Sequence, residues 1–143
     1  MSIDKEKIAQ RISEIQLAIS NLERYAKMDE SEFLGDDEKI AAAKYHLIAI
    51  IEGCISICTH ISVKEMHKVP DGYATCFKML ADNKVLSEAL ASNLARMVGF
   101  RNLLIHKYWE IDEKKVYQYI KTEIGKIQEY LKIVRDRYLG ARG

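Results

Sequence analysis

The sequence predicts an all-α fold, an up-and-down four-helix bundle with one short additional helix, in a single domain spanning residues 1–143. Three observations predict it. One proline and seven glycines in 143 residues leave long stretches free of helix breakers. Apolar residues recur at alternating spacings of four and three, the period of a helix face. The connectors between these stretches are short enough to favour antiparallel neighbours.

The first stripe holds Ile8, Ile12, Ile15, Ile19, Leu22 and Ala26, on a helix expected from Asp4 to Met28. Asp29 to Asp37, with Gly35, reads as a polar connector. A second helix from Asp37 to Met66 carries Ile40, Ala43, Leu47, Ile50, Ile51, Cys54, Ile55, Cys58 and Ile61. Its second half is apolar around much of its circumference, as expected of a helix buried on more than one side. Val69-Pro70-Asp71-Gly72 is a turn signal, and a short helix with Tyr73, Phe77, Met79 and Leu80 follows as far as Asp82-Asn83. Ser87 is placed to cap a helix reaching His106, and Asp112 to cap the last one. That last helix offers Val116, Ile120, Ile124, Ile127, Leu131, Val134 and Tyr138 to the core and ends at Gly140.

Composition narrows the function classes. Hydrophobic residues make up 48% and charged residues 30%, too apolar for disorder, and the net charge of +1 gives no global basic field. A nucleic-acid partner would need a local patch. The N-terminal residues lack an apolar leader core, and the longest purely apolar run, Leu47 to Ile51, is too short for a bilayer. A cytoplasmic protein without membrane contact is expected. Cys54, Cys58 and Cys76 lack CxxC spacing and read as free thiols. Cys54 and Cys58 share one helix face, His60 and His67 another, but no second pair completes a metal site. The basic residues Lys126, Lys132, Arg135 and Arg137 are interspersed with acids and read as a solvated face.

The fourth long helix departs from simple amphipathicity. With Leu94 at zero and about 100° per residue, Leu90, Met97, Val98, Leu104 and Ile105 fall within about 80° and form a core stripe. Arg101 falls near its middle. A guanidinium there needs a partner, and Glu52 is a candidate. Phe100 and Leu103 face the other way, so a second surface must cover them, and a homodimer through this helix is inferred. His106 lies about 140° round from Arg101 on a straight helix, while Asn102 at i−4 is better placed to touch it. Arg101 and His106 converge only if the helix loosens at Lys107 or if two protomers share a site. The plainer alternatives are a structural ion pair for Arg101, a helix cap for His106 and packing roles for Tyr108 and Trp109.

The stretch Gly99-Phe100-Arg101-Asn102-Leu103-Leu104-Ile105-His106-Lys107-Tyr108-Trp109-Glu110-Ile111-Asp112 resembles the signature of HepT-like proteins in the HEPN superfamily. There Arg, four residues, His, one residue and Tyr recur in that order, with Asn following the Arg. Tyr73, Phe77 and Leu80 resemble the family's short helix, and Ile51-Glu52 and His60-Ile61 its second helix, so the likeness runs from about Ala43 to Asp112. Ser56 is a departure: the family often carries an acid there, which leaves Glu52 as the nearby carboxylate.

The resemblance implies a toxin ribonuclease of a type VII-like HepT/MntA toxin–antitoxin system, dimeric around the motif, cutting RNA without metal or other cofactor. It implies Arg101 and His106 as catalytic residues, with Asn102 and Glu52 positioning them. The chemistry suits them: the 2′-hydroxyl of RNA supplies the nucleophile, a histidine moves protons near neutral pH, and a forked guanidinium offsets charge on phosphorane oxygens. Tyr108 is implied as the residue to which an MntA-type minimal nucleotidyltransferase antitoxin transfers AMP, in a dimer or a larger assembly with that antitoxin. The alternative is a non-catalytic helical nucleotide-binding or assembly partner of such a nucleotidyltransferase.

Overall fold

Helix starts are fixed by side chains that satisfy otherwise unpaired amides. Asp4 accepts from the Lys7 amide at 3.1 Å and opens α1 (Lys5–Ala26). Asp36 accepts from Lys39 at 3.1 Å and opens α3 (Asp37–Met66), after the short α2 (Glu30–Leu34). The short α4 (Tyr73–Asp82) follows, and then Ser87 accepts from Leu90 at 3.1 Å and opens α5 (Glu88–His106). Asp112 accepts from Lys114 at 3.0 Å and opens α6 (Glu113–Val134). Such caps contribute about 1 kcal/mol each. Residues 2–140 are described by the computed structural model. A 3₁₀ turn (Tyr108–Glu110) joins α5 to α6, and residues Arg135–Leu139 extend α6 as a wider turn. Among the described residues there is no strand.

α3 is the centre of the bundle and packs against α1, α4, α5 and α6. By length and composition it is long and apolar enough to cross a bilayer, although no purely apolar run within it is. Its apolar side chains are instead covered by the other helices: Leu47, Ile50, Ile51, Cys54, Cys58 and Ile61 have no exposed surface. Gly53 lets α1 come close, because a Cβ there would lie 2.7 Å from Cγ1 of Ile15. α3 ends on His67, whose φ of 55° breaks the helix three residues before Pro70.

The expected stripe of α6 is buried throughout, joined by Tyr117 and Tyr130. In α1 the stripe is buried from Ile8 to Leu22, but Tyr25 closes it and Ala26 is only half-buried. The connector from Asp29 to Asp37 differs from expectation, because it folds as α2. The Asp29 amide donates to the Glu32 carboxylate at 3.4 Å, and Phe33, with no exposed surface, packs between Tyr25 and Tyr117 at ring separations of 6.3 and 5.4 Å. The Tyr117 hydroxyl then donates to the Met28 carbonyl at 2.6 Å. Two adjacent apolar residues, Phe33 and Leu34, in five positions have no helical periodicity to detect.

At the other end of α1, the His60 ring accepts the Asp4 amide through Nε2 at 3.0 Å, so it acts as a neutral imidazole. Burial holds His60 below its ordinary value; Lys7 and Lys64 act in the same direction, and Asp4 opposes them. As pH falls below 6.5 the unfolded chain takes up this proton first. Stability is therefore full above that value and declines as pH drops towards the lower folded value.

Two outcomes follow from this packing. Phe33→Ala should cost about 3–5 kcal/mol in a denaturant titration, against less than about 0.5 for Ser31→Ala on the exposed side of α2. Acidifying from pH 7 to 5.5 should lower the denaturant midpoint, and His60→Gln, which keeps an uncharged acceptor, should lose less stability over the same interval.

Candidate functional site

Arg101 and His106 occupy the last two turns of α5, and Tyr108 opens the 3₁₀ turn beyond it. Arg101 is not central to the core. It lies at the edge of the stripe, its side chain 15% exposed, and reaches across to α3. Nε and Nη2 both donate to one Glu52 carboxylate oxygen, at 3.0 and 2.6 Å, and Nη1 donates to Asn102 Oδ1 at 2.9 Å. The guanidinium carbon lies 5.5 Å from the centre of the Tyr73 ring, so α4 supplies an aromatic face. All three guanidinium nitrogens are engaged, which fixes the plane of the group. Tyr73, one of the apolar residues that mark this short helix in the sequence, is half exposed beneath this arginine.

Ser56, one turn beyond Glu52, accepts from Nε of Arg11 at 3.2 Å. Glu52 thus holds the arginine of α5 while Ser56 holds one from α1. Both residues line a groove of about 540 Å³ between α1 and α3, with exposed Leu17 and Tyr45 at its rim.

The sequence placed Asn102 against His106. In the structure Asn102 serves Arg101, and His106 is exposed at the end of α5 with no hydrogen bond to its ring among the described residues. α5 runs to His106 without loosening, so Arg101 and His106 are not brought together within one chain. Ile105 also departs from expectation. It lies about 20° from buried Val98 around the helix axis, yet it is 37% exposed, because the end of α5 extends past its neighbours. Phe100 finds a partner inside the chain, stacked on Tyr119 at 4.3 Å, so it leaves no face to cover. The uncovered apolar surface is Leu103, Ile105, Tyr108 and Trp109, four of the eight exposed large hydrophobic side chains among the described residues.

Tyr108 rests on a residue that the sequence analysis passed over. Lys44 is 4% exposed, with its ammonium 4.2 Å from the Tyr108 ring centre and 3.5 Å from a Glu113 carboxylate oxygen. A signal for it existed: Lys44 falls about 20° from Ile51 on the buried stripe of α3.

The remaining polar groups have structural partners. Burial pushes the Cys54 and Cys58 thiols up, and a hydrogen bond with Cys58 holds Cys76 below its usual range. Among the described residues no three His, Cys, Asp or Glu side chains cluster to hold a metal. Lys126, Lys132 and Arg137 pair with Glu123, Asp136 and Glu65.

The Ribonuclease HepT-like family profile matches residues 15–134. The chain belongs to this family. Its relatives include the mRNA nuclease HepT of Shewanella oneidensis, 25% identical over 128 residues that cover 90% of this chain and 96% of that one. The tRNA nuclease HepT of Aphanizomenon flos-aquae is 24% identical over 129 residues, covering 90% and 88%. Among solved structures, the tri-AMPylated Shewanella oneidensis HEPN toxin in complex with MNT antitoxin superposes with a TM-score of 0.83 at 25% identity, over 90% of this chain and 96% of that one. The helical architecture is therefore that of a HepT-like protein, and the Arg101–Glu52 pair lies inside the matched span.

For this HepT-like chain, Glu52→Gln removes the charge that anchors Arg101 while leaving an acceptor. The pair is partly solvated, with Glu52 47% exposed, so folding stability should change by less than about 1 kcal/mol in denaturant. RNA cleavage by the same variant should fall by at least about tenfold, the outcome expected if the fixed plane of the guanidinium serves the reaction.

Proposed function

We propose that this protein is the ribonuclease toxin of a toxin–antitoxin pair, cutting RNA without a metal and silenced by AMP transfer to Tyr108. The observation that carries the reading is a guanidinium with every nitrogen held, with an exposed imidazole farther along the same helix, within a ribonuclease family. The relatives described as mRNA and tRNA nucleases support the reaction class. The AMP-modified toxin in complex with its antitoxin supports the mode of control.

Arg101 and His106 diverge around one helix, so the reading uses two copies of the chain. The exposed apolar surface of Leu103, Ile105, Tyr108 and Trp109 supports a homodimer with the ends of α5 facing each other. In that cleft one His106 takes the proton of the 2′-hydroxyl as its oxygen attacks phosphorus. The bond to the 5′-oxygen breaks, and that oxygen receives a proton from the second imidazole. Paired Arg101 side chains offset the charge on the non-bridging oxygens, and Glu52 and Asn102 set their orientation. The partner is an MntA-like minimal nucleotidyltransferase, in a complex of the dimer or of a larger assembly, in the cytoplasm. AMP on Tyr108 places negative charge and a nucleoside beside the cleft and blocks RNA.

The test pairs mass mapping with activity. Co-expression with the nucleotidyltransferase should add AMP to the Tyr108 peptide and abolish RNA cleavage, and Tyr108→Phe should take up none. Arg101→Ala and His106→Ala should each relieve growth arrest and lower cleavage by about 100-fold or more. Full cleavage by both alanine variants would defeat the catalytic reading and favour a nucleotide-binding partner without nuclease activity.

A further inference from the structure

Lys44, 4% exposed, is buried near the start of α3 with few polar contacts. Its carboxylate neighbour, Glu113, is half exposed and 3.5 Å away, and the Tyr108 carbonyl oxygen lies at the outer limit of a hydrogen bond, 3.5 Å. Burying an ammonium costs several kcal/mol unless its surroundings compensate. The π face of Tyr108, its centre 4.2 Å from the nitrogen, adds to these two contacts. One lysine therefore touches both the ring and the main chain of the same tyrosine. Tyr108, 42% exposed, lines with Lys44 and Glu113 an open cleft of about 620 Å³ that Leu34, Trp109 and Lys114 also border.

Resting on the reading that Tyr108 accepts AMP, we infer that Lys44 is a positioning residue for that transfer. In the step, the phenolic oxygen attacks the α-phosphorus of an adenine nucleoside triphosphate carried by the nucleotidyltransferase. The oxygen–phosphorus bond forms, the bond from α-phosphorus to the bridging oxygen breaks, pyrophosphate departs and the phenolic proton passes to solvent. A tyrosine on a three-residue turn would otherwise sample several rotamers and lose rate in proportion. The ammonium against its ring and its carbonyl restricts that choice, while the residue stays 42% exposed. The lysine acts through Tyr108 and touches no reacting atom.

The experiment measures kcat and KM for AMP incorporation at Tyr108, with purified nucleotidyltransferase, ATP and variants of the full chain whose folding is checked by thermal melting. Lys44→Met should lower kcat at least about tenfold with KM for the acceptor protein within about threefold, the split expected when alignment rather than docking is lost. Lys44→Arg, which keeps a cation over the ring, should stay within about threefold of the parent. If the methionine variant does not fold, Lys44→Gln provides the same comparison with a polar but uncharged head. A folded methionine or glutamine variant modified at the parent kcat overturns the role of Lys44 and leaves Tyr108 as acceptor. No AMP on the parent Tyr108 overturns the acceptor reading and this inference together.

Discussion

The need to cover α3 organises this molecule. A 30-residue helix with apolar side chains around much of its circumference needs cover on most sides, and α1, α4, α5 and α6 all close on it, leaving a strip through Ala41, Tyr45, Ala49 and Glu52 to solvent. Each polar side chain that remains on α3 must then be satisfied by whichever element lies against it. Lys44 meets the turn at Tyr108, Glu52 meets Arg101 of α5, Ser56 meets Arg11 of α1, and His60 meets the amide of Asp4. With Ile48 completing the row, these positions advance by four residues, about 40° of rotation per step. They form a largely polar seam that winds around the central helix and ties it to the 3₁₀ turn, to α5 and, through Ser56 and His60, to α1. The candidate site is a part of this seam, the stretch where α4, α5 and the 3₁₀ turn come together.

Much of this was legible in the sequence for a physical reason. Long helices repeat their signal, so the stripes of α1 and α6 and the caps Ser87 and Asp112 identify the elements that form. α2 carries one core residue, Phe33, and repeats nothing. Angle on a helix wheel was also an incomplete guide to burial. Val98 and Ile105 share a direction, but only Val98 lies where other helices extend far enough to cover it. The Arg101–Glu52 contact was readable from the improbability of an unpaired guanidinium on an apolar stripe. Lys44 presented the same improbability on α3 but sat among so many apolar neighbours that the stripe read as continuous. The partner of Asn102 was not readable, because spacing allows contact with His106 and only the side-chain rotamers decide for Arg101.

The site residues also differ in how they are supported. Arg101 draws on three helices at once, through Glu52 of α3, Tyr73 of α4 and its own neighbour Asn102. His106, beyond the reach of those contacts, stands at a helix end with its ring in solvent. A charge-stabilising group benefits from being fixed before substrate arrives, because any reorientation during the reaction subtracts from its effect. A proton-transferring group must meet its substrate at hydrogen-bonding distance, and exposure leaves that contact available. The division between a held guanidinium and a solvent-exposed imidazole thus matches the demands of the two proposed roles.

The winding seam constrains how chain length can drift. Adding one residue to α3 between Lys44 and Glu52 would rotate everything beyond it by about 100° and shift it about 1.5 Å. Glu52, Ser56 and His60 would then all point away from their partners together. Insertions and deletions in α3 are therefore tolerable only near its ends, whereas the connectors at residues 67–72 and 83–87 carry no such register. Variation in length among related chains should collect in those connectors, and α3 should read as a fixed ruler against which the other helices are set.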